Sequence, residues 1–199
     1  MTRAELISRV QTKLDEKSPF DEPQSLIAAA GDSSYDKVKP ITMYIDDLLD
    51  EAANDCLRML PLSLVGADVQ SLLGPATIVN DDEVAEIKLS TQNLLKARFT
   101  RVRAAGWKKE VTSFITSSDP YYLVQQNHTT RGKLYKPVVA IVPEKDCLEL
   151  YSFPGMAGKT TYTEVFYIPC NKQAGSDKSN PVQSPIDELI AIRCAELVC

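Results

Sequence analysis

The sequence predicts an α+β protein in which helices from both ends form one layer and a mostly antiparallel β domain is inserted between them. Apolar residues recur at intervals of three and four near both ends, which is the period of an amphipathic helix. Between about residues 77 and 168 the pattern changes to the alternation typical of strands. With 199 residues, 44% of them hydrophobic, the chain is long enough to bury a sizeable core.

The N-terminal part, residues 1–73, is predicted to be helical. A first amphipathic helix covers residues 3–17, and a loop rich in breakers follows at 18–39. A second helix begins near Pro40 and ends at Pro61, because proline suits a first turn but cannot continue a helix. Its apolar stripe is wide enough to require burial on more than one side, either against helices of the same chain or against a second subunit.

Seven short strands are predicted in residues 74–170, which form the inserted β domain. Turn-forming Gly, Pro, Asn and Asp residues separate them. The predicted strands cover residues 77–79, 84–89, 94–102, 109–115, 138–142, 147–153 and 161–168. Loops of hairpin length join the last three, so we expect these three to pair as an antiparallel meander.

A polar loop and a final helix complete the chain. Residues 171–184 are polar and contain Pro and Gly, so we expect a linker or an arm that orders on a partner. Residues 185–199 are predicted to form a helix, with Ser184 as its N-cap and Pro185 in its first turn. This helix has to return to the helical part, because neither apolar stripe can be buried alone.

Charge and cysteine usage narrow the function classes. A net charge of -5 and a pI near 5.0 argue against a dedicated nucleic-acid binder. The five cysteines are odd in number and form no CxxC pair, which indicates free, mostly buried thiols in a reducing cytosol. A leader and an apolar run of about eighteen residues are missing, so we expect no membrane span. With a single histidine, a zinc site of the usual spacing cannot be assembled, and we expect no metal or other cofactor.

Motifs that could carry catalysis are incomplete. Residues 155–160 resemble the end of a phosphate-binding loop, but Phe153 replaces the required glycine and a strand follows instead of a helix. His128 lies in a polar run that selects no nucleophile for it. The acidic groups at 46–51 and 81–83 lack the ligand order of a calcium loop and are interpreted as solvated acids.

Residues 105–141 are the most informative stretch. They contain the only Trp, the only His and three of the eight Tyr, interleaved with Arg and Lys. This mixture is enriched where protein surfaces meet, although the rings could equally fill the core of a β domain. The sequence alone leaves both interpretations open.

An ordered string of short features gives a family resemblance. The features are residues 45–53 (IDDLLDEAA), 58–62 (RMLPL), 99–102 (FTRV), Gly106-Trp107, 119–122 (DPYY), Asn127, 130–132 (TRG), 136–138 (KPV) and a closing apolar helix. Over roughly residues 41–199 they resemble the head-to-tail adaptor or neck proteins of tailed bacteriophages, and among these the proteins of crAss-like phages. Residues 94–99 (LLKARF) depart from the Leu-Pro-x-Asp-Phe-Leu-Arg pattern of such proteins, so the register of that strand stays open.

The resemblance implies a structural virion protein that is not an enzyme. Made in the host cytoplasm, it would form a homo-oligomeric, dodecameric ring at the capsid-tail junction. The ring would join the portal protein to a further neck or tail protein and let double-stranded DNA pass through its lumen without sequence-specific binding. The candidate contacts between subunits are Trp107, Tyr121, Asn127, Arg131 and Lys136.

Two other function classes stay open. A small cytosolic enzyme could use the region between Trp107 and Tyr135 as a substrate pocket, with His128 or a cysteine as catalyst. A weak nucleic-acid-binding module could combine Trp107 with the one concentrated positive stretch of the chain. That stretch contains Arg98, Arg101, Arg103, Lys108 and Lys109.

Overall fold

The structure, a computed structural model, describes residues 1–17, 41–79, 84–92, 94–152 and 160–199. In chain order its helices are α1 (Arg3–Lys17), α2 (Ile41–Met59), α3 (Leu62–Val65), α4 (Pro120–Gln125) and α5 (Asp187–Val198). Its strands are β1 (Gln70–Val79), β2 (Val84–Lys88), β3 (Ala97–Ala104), β4 (Ile115–Thr116), β5 (Val138–Val142), β6 (Cys147–Tyr151) and β7 (Thr160–Pro169). The predicted α+β class, with helices at both ends around a mostly antiparallel sheet, is confirmed.

These residues form two compact units. The helical unit holds Met1–Asp68 and Cys170–Cys199, and the β unit holds Val69–Pro169. The first boundary falls five residues earlier than predicted, because β1 already begins at Gln70 and runs through Gly74 and Pro75. At Pro75 the strand has β7 as its one described neighbour, since β2 joins only from Thr77 onward. Proline has no backbone N–H to donate, so it is tolerated at positions where no neighbouring strand needs that hydrogen bond.

The wide apolar stripe of α2 is only partly buried within the helical unit. Helix α2 packs against α5 and α1. The buried part of its stripe consists of Ile45, Leu49, Ala52, Ala53, Cys56 and Leu57. Ile41, Met43 and Tyr44 are exposed at the start of the helix, so a contact with a second subunit stays a prediction. The predicted helix start at Pro40 lies outside the described residues.

Residues 171–184, predicted to form a linker or an arm, are fixed to the helical unit, and their role in docking a partner stays a prediction. The side chain of Asn54 accepts from the backbone N of Lys172 at 3.0 Å and donates to its carbonyl at 3.0 Å. Asp50 Oδ1 accepts from Ala174 N at 2.9 Å, and the buried Lys172 forms an ion pair with the buried Asp68. Side chains of α2 thus satisfy the backbone of this segment without a partner protein.

Arg3 joins the same segment to α1 and α2. Its guanidinium forms ion pairs with Asp46 and Asp50, whose side chains remain 45% and 39% exposed, so these two acids are solvated as predicted and are also paired. Gly175 lies directly against the backbone of Arg3 and has a φ of +93°. The predicted N-cap also differs: a 3₁₀ turn begins at Ser184, and α5 starts three residues later with Ile186 as N-cap.

The seven strands form one sheet in the order β3-β7-β1-β2-β6-β5-β4, and all pairs except β4 with β5 are antiparallel. Strands β5 and β6 form the predicted hairpin. The rest of the predicted meander is wrong, because β7 pairs with β1 and β3, whereas β2 occupies the free edge of β6 along its whole length.

The predicted strand at residues 109–115 is mostly absent. Val111 makes one isolated bridge to Val102 of β3, and only Ile115 with Thr116 form a short strand. Core clusters cover both faces of β6, so all five residues of that strand are buried. This leaves Glu149, in the middle of β6, as a carboxylate inside the β unit.

Candidate interaction surface

The connection from β4 to β5, residues 117–137, is the α4 loop. Asp119 begins the helix within it, because its side chain accepts from the backbone N of Tyr121 at 2.8 Å while Pro120 occupies the first turn. An acidic N-cap followed by proline is a common way to start a helix. Asp119 N donates to the carbonyl of Thr116 at 3.0 Å, so a tight turn leads directly into this short helix.

Glu149 anchors the α4 loop to the sheet. Its carboxylate is 3% exposed and accepts hydrogen bonds from Tyr122 Oη at 2.8 Å and from Tyr151 Oη at 2.5 Å. The ammonium of Lys145 donates to its other oxygen at 2.6 Å. Gln126 Nε2 donates to Tyr151 Oη at 2.9 Å and so connects a second residue of the loop. A buried carboxylate is tolerated only with such a set of donors.

The pKa values in this network follow from its geometry. Burial opposes ionisation of Glu149, but the hydrogen bonds from Lys145, Tyr151 and Tyr122 outweigh it and hold the pKa of the carboxyl below its ordinary value. Burial and the hydrogen bond to Glu149 raise the pKa of both Tyr122 and Tyr151. The hydrogen bond to Glu149 also raises the pKa of Lys145, despite partial burial. All four groups therefore keep the protonation states that the network needs at neutral pH.

Gln125 and Gly132 form a second anchor. Gln125 is fully buried, and its Oε1 accepts from the backbone N of Gly132 at 2.8 Å. A Cβ at position 132 would lie 2.9 Å from Val138 N and 3.0 Å from Tyr151 O. Glycine is required here because the loop passes this close to the backbone of β5 and β6.

Two of the predicted contact residues make bonds within the loop. Arg131 is buried and donates from its guanidinium to the carbonyl of Gln126 at 3.3 Å. Asn127 Oδ1 accepts from Thr129 N at 3.0 Å and from its hydroxyl at 2.6 Å, which is the geometry of an Asx turn. The observed bonds of both side chains thus help to fix the loop, and their role in subunit contacts stays a prediction.

The outer side of α4 is apolar. Leu123 is 72% exposed, Tyr121 40% and Val124 38%. Of these three residues, Tyr121 was the one predicted as a contact. The other two could have been found by treating Asp119-Pro120 as a helix start, because a helix of six residues lying on a sheet can bury only one side.

Trp107 and Lys136, the remaining predicted contacts, lie on neighbouring turns. Trp107 is half-buried and packs against the main core of the β unit, whereas Tyr121 and Tyr135 of the same stretch are exposed. Lys136 is exposed and closes a tight turn with Lys133. The two turns are joined where Lys108 N donates to Leu134 O at 2.9 Å.

Two arginines of the predicted positive stretch are engaged within the β unit. Arg101 forms an ion pair with Glu110 at 3.3 Å and stacks 3.8 Å from the centre of the Phe166 ring. Arg103 forms an ion pair with Glu164. A carboxylate thus opposes the charge of each of these two arginines, and nucleic-acid binding by the stretch stays a prediction.

Potential metal ligands and nucleophiles fit a structural role. Side-chain ligand atoms of Glu86, Cys147 and Glu149 lie within 4.8 Å of one another. However, Glu149 already accepts three hydrogen bonds, and burial raises the pKa of the Cys147 thiol to about 11. Burial likewise raises the pKa of Cys56 and Cys194 to about 11, so these thiols are poor nucleophiles at neutral pH. All five cysteines lie in the described ranges and are free, as predicted, and Cys199 is the exposed one.

Comparison with known protein families and with curated proteins gives no match to this chain. Among the described helices, none combines the length and apolarity needed to cross a membrane. The predicted phosphate-binding resemblance at residues 155–160 and the acidic group at 81–83 lie in segments with residues outside the described ones.

Proposed function

We propose that this protein is a structural subunit of a bacteriophage head-to-tail connector. Copies assemble into a ring that joins the portal to a further neck or tail protein and lets DNA pass through its lumen. The observation that carries the proposal is the α4 loop, which is fixed to the sheet by buried polar side chains and exposes an apolar helix face. The string of sequence features that resembles adaptor proteins supports the same role.

A pre-ordered apolar surface is suited to assembly. The network around Glu149 fixes Tyr122 and Gln126 in the free chain, so a partner does not have to order this segment on binding. Burying the side chain of Leu123 alone would contribute about 1–2 kcal/mol to association. The Glu149 network therefore has a function beyond stability, because it holds α4 in one position.

A ring also requires a second surface on each subunit, since head-to-tail contacts join different patches. The start of α2 provides an apolar candidate, where Ile41, Met43 and Tyr44 are exposed. These residues belong to the helical unit, whereas α4 belongs to the β unit. Each unit thus exposes an apolar patch of its own, and a heterologous contact needs two different patches.

The oligomeric state of the full chain tests the proposal. We expect mass photometry and negative-stain images to show rings that form with increasing concentration or on addition of portal protein. A chain that stayed monomeric under both conditions would exclude the connector role.

A pair of matched variants tests the α4 surface. We expect Leu123→Ser to weaken ring formation by about tenfold, because it removes the most exposed apolar side chain of α4. Leu95→Ser is the control, since Leu95 is 65% exposed but lies outside the α4 loop. Both variants should unfold at the wild-type temperature. Equal weakening by both would assign ring contacts to another surface.

A further inference from the structure

Two pairs of lysines that are far apart in sequence lie on adjoining turns of the β unit. Lys108 and Lys109 follow Trp107, and Lys133 and Lys136 close a tight turn through two backbone hydrogen bonds of 3.1 and 2.7 Å. The bond from Lys108 N to Leu134 O, 2.9 Å long, joins the two turns. The four side chains are exposed and form a group that we name the lysine patch.

The lysine patch is uncompensated within the described part of the chain. None of its four ammonium groups forms an ion pair with a carboxylate of the described residues. The nearest acid in sequence, Glu110, is paired with Arg101. Like charges on adjoining turns repel one another, by about 0.4 kcal/mol for a pair of charges about 10 Å apart in water, and this chain is acidic overall. Such a group gains stability when it meets an anionic partner.

We propose that the lysine patch is a sequence-independent phosphate-binding surface for double-stranded DNA. The inference rests on the proposed function, because the bound duplex would be the DNA that passes through the ring. Under this proposal Lys136, which the sequence predicted as a subunit contact, contacts DNA instead. Tyr135, which is 73% exposed at the tip of the turn, lies between Lys133 and Lys136 and can contact the sugar-phosphate backbone.

The chemistry of the patch suits phosphates whose positions vary. Arginine forks bind carboxylates and phosphates alike in a fixed bidentate geometry, and Arg101 and Arg103 already bind Glu110 and Glu164. Lysines are point charges on flexible stems, so they accommodate phosphates at variable positions. Two short turns offer no helix or β ribbon that could enter the major groove, so the contacts carry no sequence information.

The experiment measures binding of a fluorescent random-sequence duplex to the full chain as a function of salt. Four phosphate contacts predict that log K falls with log salt at a slope of about -3 to -4. Lys133→Gln combined with Lys136→Gln should reduce the magnitude of that slope by about 2. The matched control is Lys96→Gln combined with Lys178→Gln, which removes the same charge from exposed positions outside the patch.

Each outcome decides the proposal. A loss confined to the patch variant supports it. No wild-type binding at about 50 mM salt, or equal losses in both variants, would overturn it. Stronger binding of poly-glutamate than of DNA, with the same lysine dependence, would assign the patch to an acidic protein instead.

Ring formation is measured on the same samples, so the two proposals can fail separately. Rings without DNA binding would remove the lysine patch proposal and leave the connector role. DNA binding by a chain that never forms rings would remove the connector role and keep the patch. Loss of rings in the patch variant, with DNA binding unchanged, would assign Lys136 to the subunit contact.

Discussion

The α4 loop and the segment 171–184 are both irregular and mostly polar, and polar side chains of its own unit hold each of them. Glu149 and Gln125 hold the first, while Asn54, Asp50 and Asp68 hold the second. They differ in what they expose. The α4 loop exposes Leu123 with neighbouring apolar side chains, whereas residues 176–181 of the other segment are exposed and mostly polar. A fixed loop is therefore a candidate interface because of its exposed chemistry, not because it is ordered.

The largest effect is expected at Gly175. Its φ of +93° is unfavourable for other residues, and a Cβ there would lie 2.6 Å from Arg3 N and 2.7 Å from Arg3 Cα. Gly175→Ala should lower the free energy of unfolding by about 3 kcal/mol or more. Urea unfolding of the wild type and the variant measures this difference in free energy. Gly66→Ala is the control, because Gly66 has helical angles and open space for a Cβ, and it should change stability by less than about 0.5 kcal/mol.

Equal losses in the two glycine variants would mean that the segment 171–184 is not held against Arg3. The segment would then lack the fixed position that the α4 loop has, and it would again be a candidate arm.

A smaller effect is expected at Glu149, the anchor of the α4 loop. Glu149→Gln removes the buried negative charge to which three groups donate, and it should lower the free energy of unfolding by about 2–3 kcal/mol. The control is Glu144→Gln, because the exposed carboxylate of Glu144 accepts from the hydroxyl of Ser117 and, among the described residues, from no other group. Urea unfolding at neutral pH should separate the two variants, and similar midpoints would show that the network does not stabilise the fold.

The pH dependence of stability tests the contribution of Glu149 in a second way. The pKa of Glu149 is lowered in the folded state, so its stabilising effect is complete above the unfolded value of about 4.3 and disappears as the pH falls through the folded value. Wild-type stability should therefore fall below about pH 4.3 more steeply than that of Glu149→Gln. Parallel curves for the two proteins would contradict the lowered pKa.

Some of these features could be predicted from the sequence because they depend on local patterns. The period of residues 3–17 predicts α1 with its observed ends, and the hairpin of β5 and β6 follows from two strands with a short turn. The class of the fold followed in the same way.

Other features could not be predicted because they depend on pairing between distant segments. Glu149 lies on a strand whose alternation suggests one solvated face, and only the pairing with β2 together with the cover from α4 buries it. The two lysine pairs are separated by more than twenty residues, and a single backbone hydrogen bond joins their turns. Gly175 lies among polar residues that are typical of linkers, and its close approach to Arg3 depends on the fold of the whole helical unit.

The smallest effect is expected at the exposed tip of the segment 171–184. Lys178 and Ser179 are exposed, and Lys178→Ala with Ser179→Ala should change the free energy of unfolding by less than about 0.5 kcal/mol. We also expect this double variant to form rings at the same protein concentration as the wild type, because the tip offers no apolar area to a partner. Mass photometry beside Leu123→Ser provides the direct contrast. If the tip variant dissociated the rings and Leu123→Ser did not, the polar segment would be the docking element. The contacts that fix this segment to the helical unit would then hold its tip in position for a partner.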